Sequence, residues 1–201
     1  MSAIKRPCHP HHRQRGAAVV EFALSAVIFF MVLFFVIEVA RALYLTNTLL
    51  EVTRRAAYAA AVTDFSDANA MARVRQAAVL RNSPGTLMLG EPVSDAHIRI
   101  DYLSLTRNAN GSMTLTPIPT AGLPACTARA RINCATDPHG ASCIRFVRVR
   151  VCKPGDGDSD CDPVPYQPLL TASGLGFNLP PSTTIAKAES LGFQPGSAVC
   201  P

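Results

Sequence analysis

Residues 17–62 contain neither glycine nor proline. A run of 46 residues with no backbone breaker reads as one helix, roughly 69 Å long at the standard rise. Its first part, 17–37, is apolar except for Glu21 and Ser25. Those residues rise about 31 Å as a helix, the thickness of a bilayer's hydrocarbon core. Glu38 and Arg41 mark the end of the apolar run. Beyond them Ala42, Leu45, Leu49, Val52, Ala56 and Ala59 recur at steps of three and four, which is one apolar stripe. Thr46, Asn47, Arg54 and Arg55 fall off it, and Glu51 with Arg55 is a helical i, i+4 ion pair. The reading is a lipid-soluble half continuing into an amphipathic half.

Residues 1–16 read as a basic leader, with Lys5, Arg6, Arg13 and Arg15 and no acid before Glu21. Basic residues ahead of the span favour a cytoplasmic N-terminus. Arg41, Arg54 and Arg55 on the far side weaken that bias, so the cysteines carry more of the orientation. Cys8 precedes the apolar run, and Cys126, Cys134, Cys143, Cys152, Cys161 and Cys200 follow it. An even set on one side suggests an oxidising compartment and up to three disulfides. No C-x-x-C knuckle is present, so disulfides fit better than zinc. Six cysteines allow 15 pairings; Cys152 with Cys161 is a reasonable local pair. The net charge of +5 is scattered, Trp is absent and aromatics make up 6%. A nucleic-acid surface would need a basic stripe interleaved with aromatics.

The rest, 63–201, reads as one α+β domain. A second helix is expected over 68–81, ended by Asn82-Ser83-Pro84-Gly85. Ile98, Ile100 and Tyr102 alternate with Arg99, Asp101 and Leu103, Asn108 to Gly111 form a turn, and 112–117 return as a hairpin strand. Phe146, Val147, Val149 and Val151 alternate with Arg148 and Arg150 as a further strand, and 183–190 supplies a last one. The expected architecture is α+β: a long transmembrane helix, continuing amphipathic, packed on a small antiparallel sheet with disulfides. Outside the hairpin, 82–144 carries no assignment. Asp156, Asp158, Asp160 and Asp162 alternate as calcium-loop carboxylates do, but no Glu closes the motif and Cys161 interrupts it. A solvated acidic loop is the plainer reading, and no metal is assigned. His97 and His139 have no neighbouring nucleophile motif, which argues against an enzyme.

The string Arg15-Gly16-Ala17-Ala18-Val19-Val20-Glu21-Phe22 at the start of the apolar run resembles the cleavage and assembly signal of type IV prepilins. The wider pattern resembles the TadE-like family of Flp/Tad pilus biogenesis. It includes Glu38-Val39-Ala40-Arg41-Ala42, then Asn47, then Thr53-Arg54-Arg55-Ala56-Ala57-Tyr58-Ala59-Ala60. Later, Val149-Arg150-Val151, Tyr166-Gln167-Pro168-Leu169-Leu170 and Ala186-Lys187-Ala188-Glu189-Ser190 are similar more loosely. The resemblance implies a prepilin-like structural subunit without a cofactor, in the bacterial inner membrane. Its C-terminal domain would be periplasmic. It implies cleavage between Gly16 and Ala17 by a prepilin peptidase. It further implies assembly through Glu21 and Phe22, with Glu21 meeting the Ala17 ammonium of a neighbour. Its partners would be other pilins and Tad secretion-machinery proteins. The alternative is a signal-anchored or secreted binding domain with no filament role, cut after Ala40-Arg41-Ala42.

Overall fold

The structure is a computed structural model that describes residues 15–155, 160–169, 176–196 and 198–200. Helix α1 (Arg15–Val62) runs without a break. It starts two residues earlier than the expected 17, so Gly16 lies in its first turn. Residues up to Ala40 form one compact unit, and Arg41–Pro201 form a second. The second unit therefore contains the amphipathic part of α1. There Leu45, Leu49, Val52, Ala56, Ala57, Ala60 and Ala61 are buried in the hydrophobic core.

The core's other wall is a four-stranded antiparallel sheet of order β2-β1-β3-β4. Its strands are β1 (Ile98–Arg107), β2 (Met113–Pro117), β3 (Phe146–Val151) and β4 (Thr183–Lys187). In β3 burial alternates strictly, Val147, Val149 and Val151 facing the core while Arg148 and Arg150 face away. Thr53 on α1 is fully buried and its hydroxyl meets that of Thr184 on β4 at 2.9 Å. The end of α1 is docked as well. Both Glu189 N and Leu191 N donate to Ala61 O, satisfying a carbonyl that a helix terminus leaves without a partner. Gly192 follows with φ +76°, and a Cβ there would stand 2.7 Å from Asp64 Cα, so only glycine fits.

Helix α2 (Ala68–Ala78) is capped by Asp67, whose carboxylate accepts from Asn69 N and Ala70 N. It ends three residues before the expected Arg81. Leu80 takes φ +60°, while Arg81 N donates to Gln76 O and Leu80 N to Ala77 O. That is a Schellman closure with leucine where glycine is usual, and burial of Val79 at 0% exposure holds it. Helix α3 (Thr127–Thr136) was not anticipated. It lies between two disulfides, Cys126–Cys200 and Cys134–Cys143, and Cys152–Cys161 closes the loop after β3. Their Cα separations of 6.1, 4.6 and 4.8 Å suit the bond. The chain's last turn is fastened to α3, where Arg129 donates to Cys200 O and Arg131 stacks over Phe193.

The buried stripe of α1 should dominate the stability of this unit. Leu49→Ala is expected to cost about 2–5 kcal/mol. Leu50→Ala, on a side chain 56% exposed, should stay within about 0.5 kcal/mol. Urea unfolding of the full chain in detergent micelles, followed by tyrosine fluorescence, measures both.

Candidate functional site

The proximal part of α1 has no charged residue from Phe22 to Ile37, and its large side chains stand exposed. Phe22 is 75% exposed, and Val27, Ile28, Phe29, Met31 and Phe35 are similarly uncovered. The helix is long and apolar enough to cross a membrane. An apolar surface of this extent is covered by lipid or by other protein. Glu21 sits on it as the single carboxylate. It is exposed, and among the described residues it has no ion pair or hydrogen bond. The environment of Gly16 is open, since a Cβ there would meet nothing within 4 Å. Gly16 and Ala17 lie in the first helical turn. That turn lacks a described cap, and glycine is the weakest ordinary helix former, so local unwinding there is cheap.

The distal part of α1 explains the other family-like residues. Arg41 donates to the carbonyls of Leu89, Glu91 and Gln167, and its guanidinium lies 5.3 Å from the ring centre of Tyr166. One side chain thus ties two separate loops to the helix, which only a planar guanidinium with several donors can do. Tyr44 adds a hydrogen bond to Met88 O. Glu51 pairs with Arg54 and Arg55 at the surface, and the Arg55 hydrogen bond holds its carboxyl below the usual range. The alanines of the string around Tyr58 are divided by face: Ala56, Ala57 and Ala60 are buried, whereas Tyr58 is 65% exposed. Glu38, expected at the membrane exit, is buried at 3% exposure.

On the outer face of the sheet, Asp101 accepts from Arg99, Arg148 and Arg150 at 2.9–3.1 Å. Three guanidiniums share one carboxylate that is 11% exposed. Arg150 Nη2 lies 2.8 Å from Asp101 Oδ2 but without hydrogen-bond geometry, and among the described residues it has no other acceptor. This cluster was not anticipated as a unit, although the register pairs Asp101 with Arg148 and Arg99 with Arg150. The alternation alone carried that information.

Asp156 and Asp158 lie outside the described residues, Asp160 O accepts from Arg99, and the described residues hold no cluster of metal-ligating side chains. His139 contacts Leu105 O. His97 Nδ1 accepts from Ser94 N at 3.0 Å. The two histidines have separate partners: His139 meets a backbone carbonyl, while His97 Nδ1 also lies 2.9 Å from Ser94 Oγ within the turn that leads into β1.

The described residues thus pair an α+β unit, built on the distal part of a helix, with a proximal part long and apolar enough to cross a membrane. Residues 16–57 match the family model described as TadE-like protein, the family that the motifs resemble. The match covers the exposed apolar segment, Arg41 and the first buried turns, and stops before the sheet. No curated protein and no solved structure gives a significant match. The TadE-like match points to a Tad pilus-associated protein, in a family not known for enzymatic activity.

Burial pushes His97 below its ordinary pKa, opposed by the nearby Asp95 carboxylate. The unfolded chain then takes up a proton first as pH falls through about 6.5. Stability is fully present above that value and declines from there towards the lower folded pKa. Urea midpoints should fall between pH 7 and pH 5. His97→Asn, which keeps an acceptor for Ser94 N, should flatten that slope.

Proposed function

We propose that the chain is a membrane-anchored, prepilin-like subunit that acts in Flp/Tad pilus assembly and adherence, and that it is not an enzyme. The observation that carries this reading is Glu21: an exposed carboxylate with no partner among the described residues, on the apolar proximal part of α1. A carboxylate in hydrocarbon is costly unless something pairs with it. After cleavage between Gly16 and Ala17 by an inner-membrane prepilin peptidase, Glu21 becomes the fifth residue. The new ammonium of a neighbour's Ala17 is then a partner of the right charge. Phe22 beside it supplies apolar contact between helices. Cleavage also removes Lys5, Arg6, Arg13 and Arg15, the cations that hold the leader in the cytoplasm.

The three disulfides support a periplasmic location for 63–201, with other pilins and Tad secretion-machinery proteins as partners. Signal-peptidase release after Ala42 is the less favoured reading. Such a cut would separate Arg41 from the rest of the unit whose loops it binds, and Ala42 packs against the core.

Two substitutions test this reading. Gly16→Leu places a branched side chain where the peptidase must approach the backbone, so unprocessed chain should accumulate, as intact-mass spectrometry would show. An unchanged N-terminus in wild type and variant would refute cleavage there. Glu21→Ala should leave membrane fractionation normal and abolish surface pili. Glu51→Ala, on an exposed site further along the same helix, should leave both unchanged. Glu38 is unsuitable as a control because it is buried. Equal loss of pili in both variants would remove any special role for the fifth-position carboxylate.

A further inference from the structure

The four-stranded sheet has an incomplete neighbour. Cys152 N donates to His97 O and Arg145 N to Leu103 O. The odd-numbered residues from His97 to Leu103 therefore turn their backbone groups towards β3, and the even-numbered ones turn theirs the other way. On that other side Ile118 N donates to Tyr102 O, and pairing with β2 begins at Leu103 with Pro117. Before Tyr102 no strand pairs with this edge among the described residues. Ile98 N–H is used by Asp95 O. This leaves Ile98 C=O, Ile100 N–H and C=O, and Tyr102 N–H with no partner among the described residues. They span about 13 Å at the rise of a strand.

A groove of about 990 Å³ follows this edge. On the core side its wall is apolar, from Phe65, Met71, Tyr102, Ile118 and Leu123. On the outer side it is cationic, from Arg99, Arg148, Arg150 and Lys153 against Asp101. Arg75 and Asp95 also line it and offset each other. We propose that this edge takes up an extended strand of another protein subunit, one that alternates apolar and acidic side chains. An added strand places successive side chains on opposite faces of the sheet. One set would enter the apolar wall, and the other would meet the guanidiniums of Arg148 and Arg150, which converge on Asp101. Backbone pairing supplies the affinity, and the two unlike walls supply the selection. The outer strand β2 is exposed along its whole length, so a strand added there would gain backbone bonds with little burial. The groove belongs to the unit Arg41–Pro201 alone and does not depend on the filament role, so either reading can fail without the other.

The test uses full-length chain in detergent micelles and a labelled octapeptide of alternating valine and glutamate. Fluorescence polarisation should show binding, with the valine–lysine counterpart at least about tenfold weaker, a difference of 1.4 kcal/mol. Hydrogen exchange at the Ile100 and Tyr102 amides should slow when the peptide saturates. Ile100→Pro removes only an outward N–H and should weaken binding about tenfold, the effect of one lost hydrogen bond at the strong end. Leu115→Pro, which removes an outward N–H on β2, should not. The proposal is overturned if no peptide binds, if the lysine peptide binds as tightly, or if Leu115→Pro costs as much as Ile100→Pro. Unaltered exchange at Ile100 and Tyr102 overturns it too, and that measurement decides alone if Ile100→Pro fails to fold.

Discussion

Leu45, Leu49, Val52, Ala56 and Ala60 form the stripe on which the rest of the Arg41–Pro201 unit depends. The sheet has one apolar face, and a sheet of four short strands is stable only when that face is covered. Helix α1 supplies the cover, and its last turn supplies the carbonyl that holds the 189–191 segment. The same helix has no glycine or proline to absorb a bend between Ala17 and Val62. Arg41 binds two loops far apart in sequence, one at Leu89 and Glu91 and one at Gln167.

Periodicity made much of this fold legible. The 3.6-residue stripe of α1, the alternation in β3, and the Asn-Gly turn between β1 and β2 reach the structure nearly as read; β1 does not keep its alternation, since Leu103 is buried beside Tyr102 and Ser104. The failures have identifiable causes. Helix α3 is ten residues of small and basic side chains without a clear apolar stripe. Its order comes from two disulfides and from contacts with the chain's end, which no local pattern reveals. The end of α2 uses leucine in a conformation normally given to glycine, because burial of Val79 outweighs the local cost. Cys126–Cys200 closes a separation of 74 residues, and pairing at that range is a property of the fold. The open edge at Ile98–Tyr102 was invisible for a similar reason: it results from β2 being shorter than β1.

The site residues were legible to different degrees. Gly16, Ala17, Glu21 and Phe22, the residues of the proposed cleavage and assembly, are marked by their place at the start of an apolar run, and all four are exposed. The Asp101 cluster needed the register of β1 against β3 before its charges could be seen to converge. Both features place charge beside an apolar surface. Among the described residues no cation pairs with Glu21, and the guanidiniums of Arg148 and Arg150 converge on Asp101.

The central claim concerns Glu21 and the neighbour's Ala17. Zero-length carbodiimide cross-linking in native membranes, followed by peptide mass spectrometry, tests it directly. The account predicts an amide between the Glu21 carboxyl of one chain and the Ala17 amine of another, which requires both cleavage after Gly16 and close approach of the two groups. Chains that retain residues ahead of Ala17, with Glu21 unlinked to any amine, would contradict it.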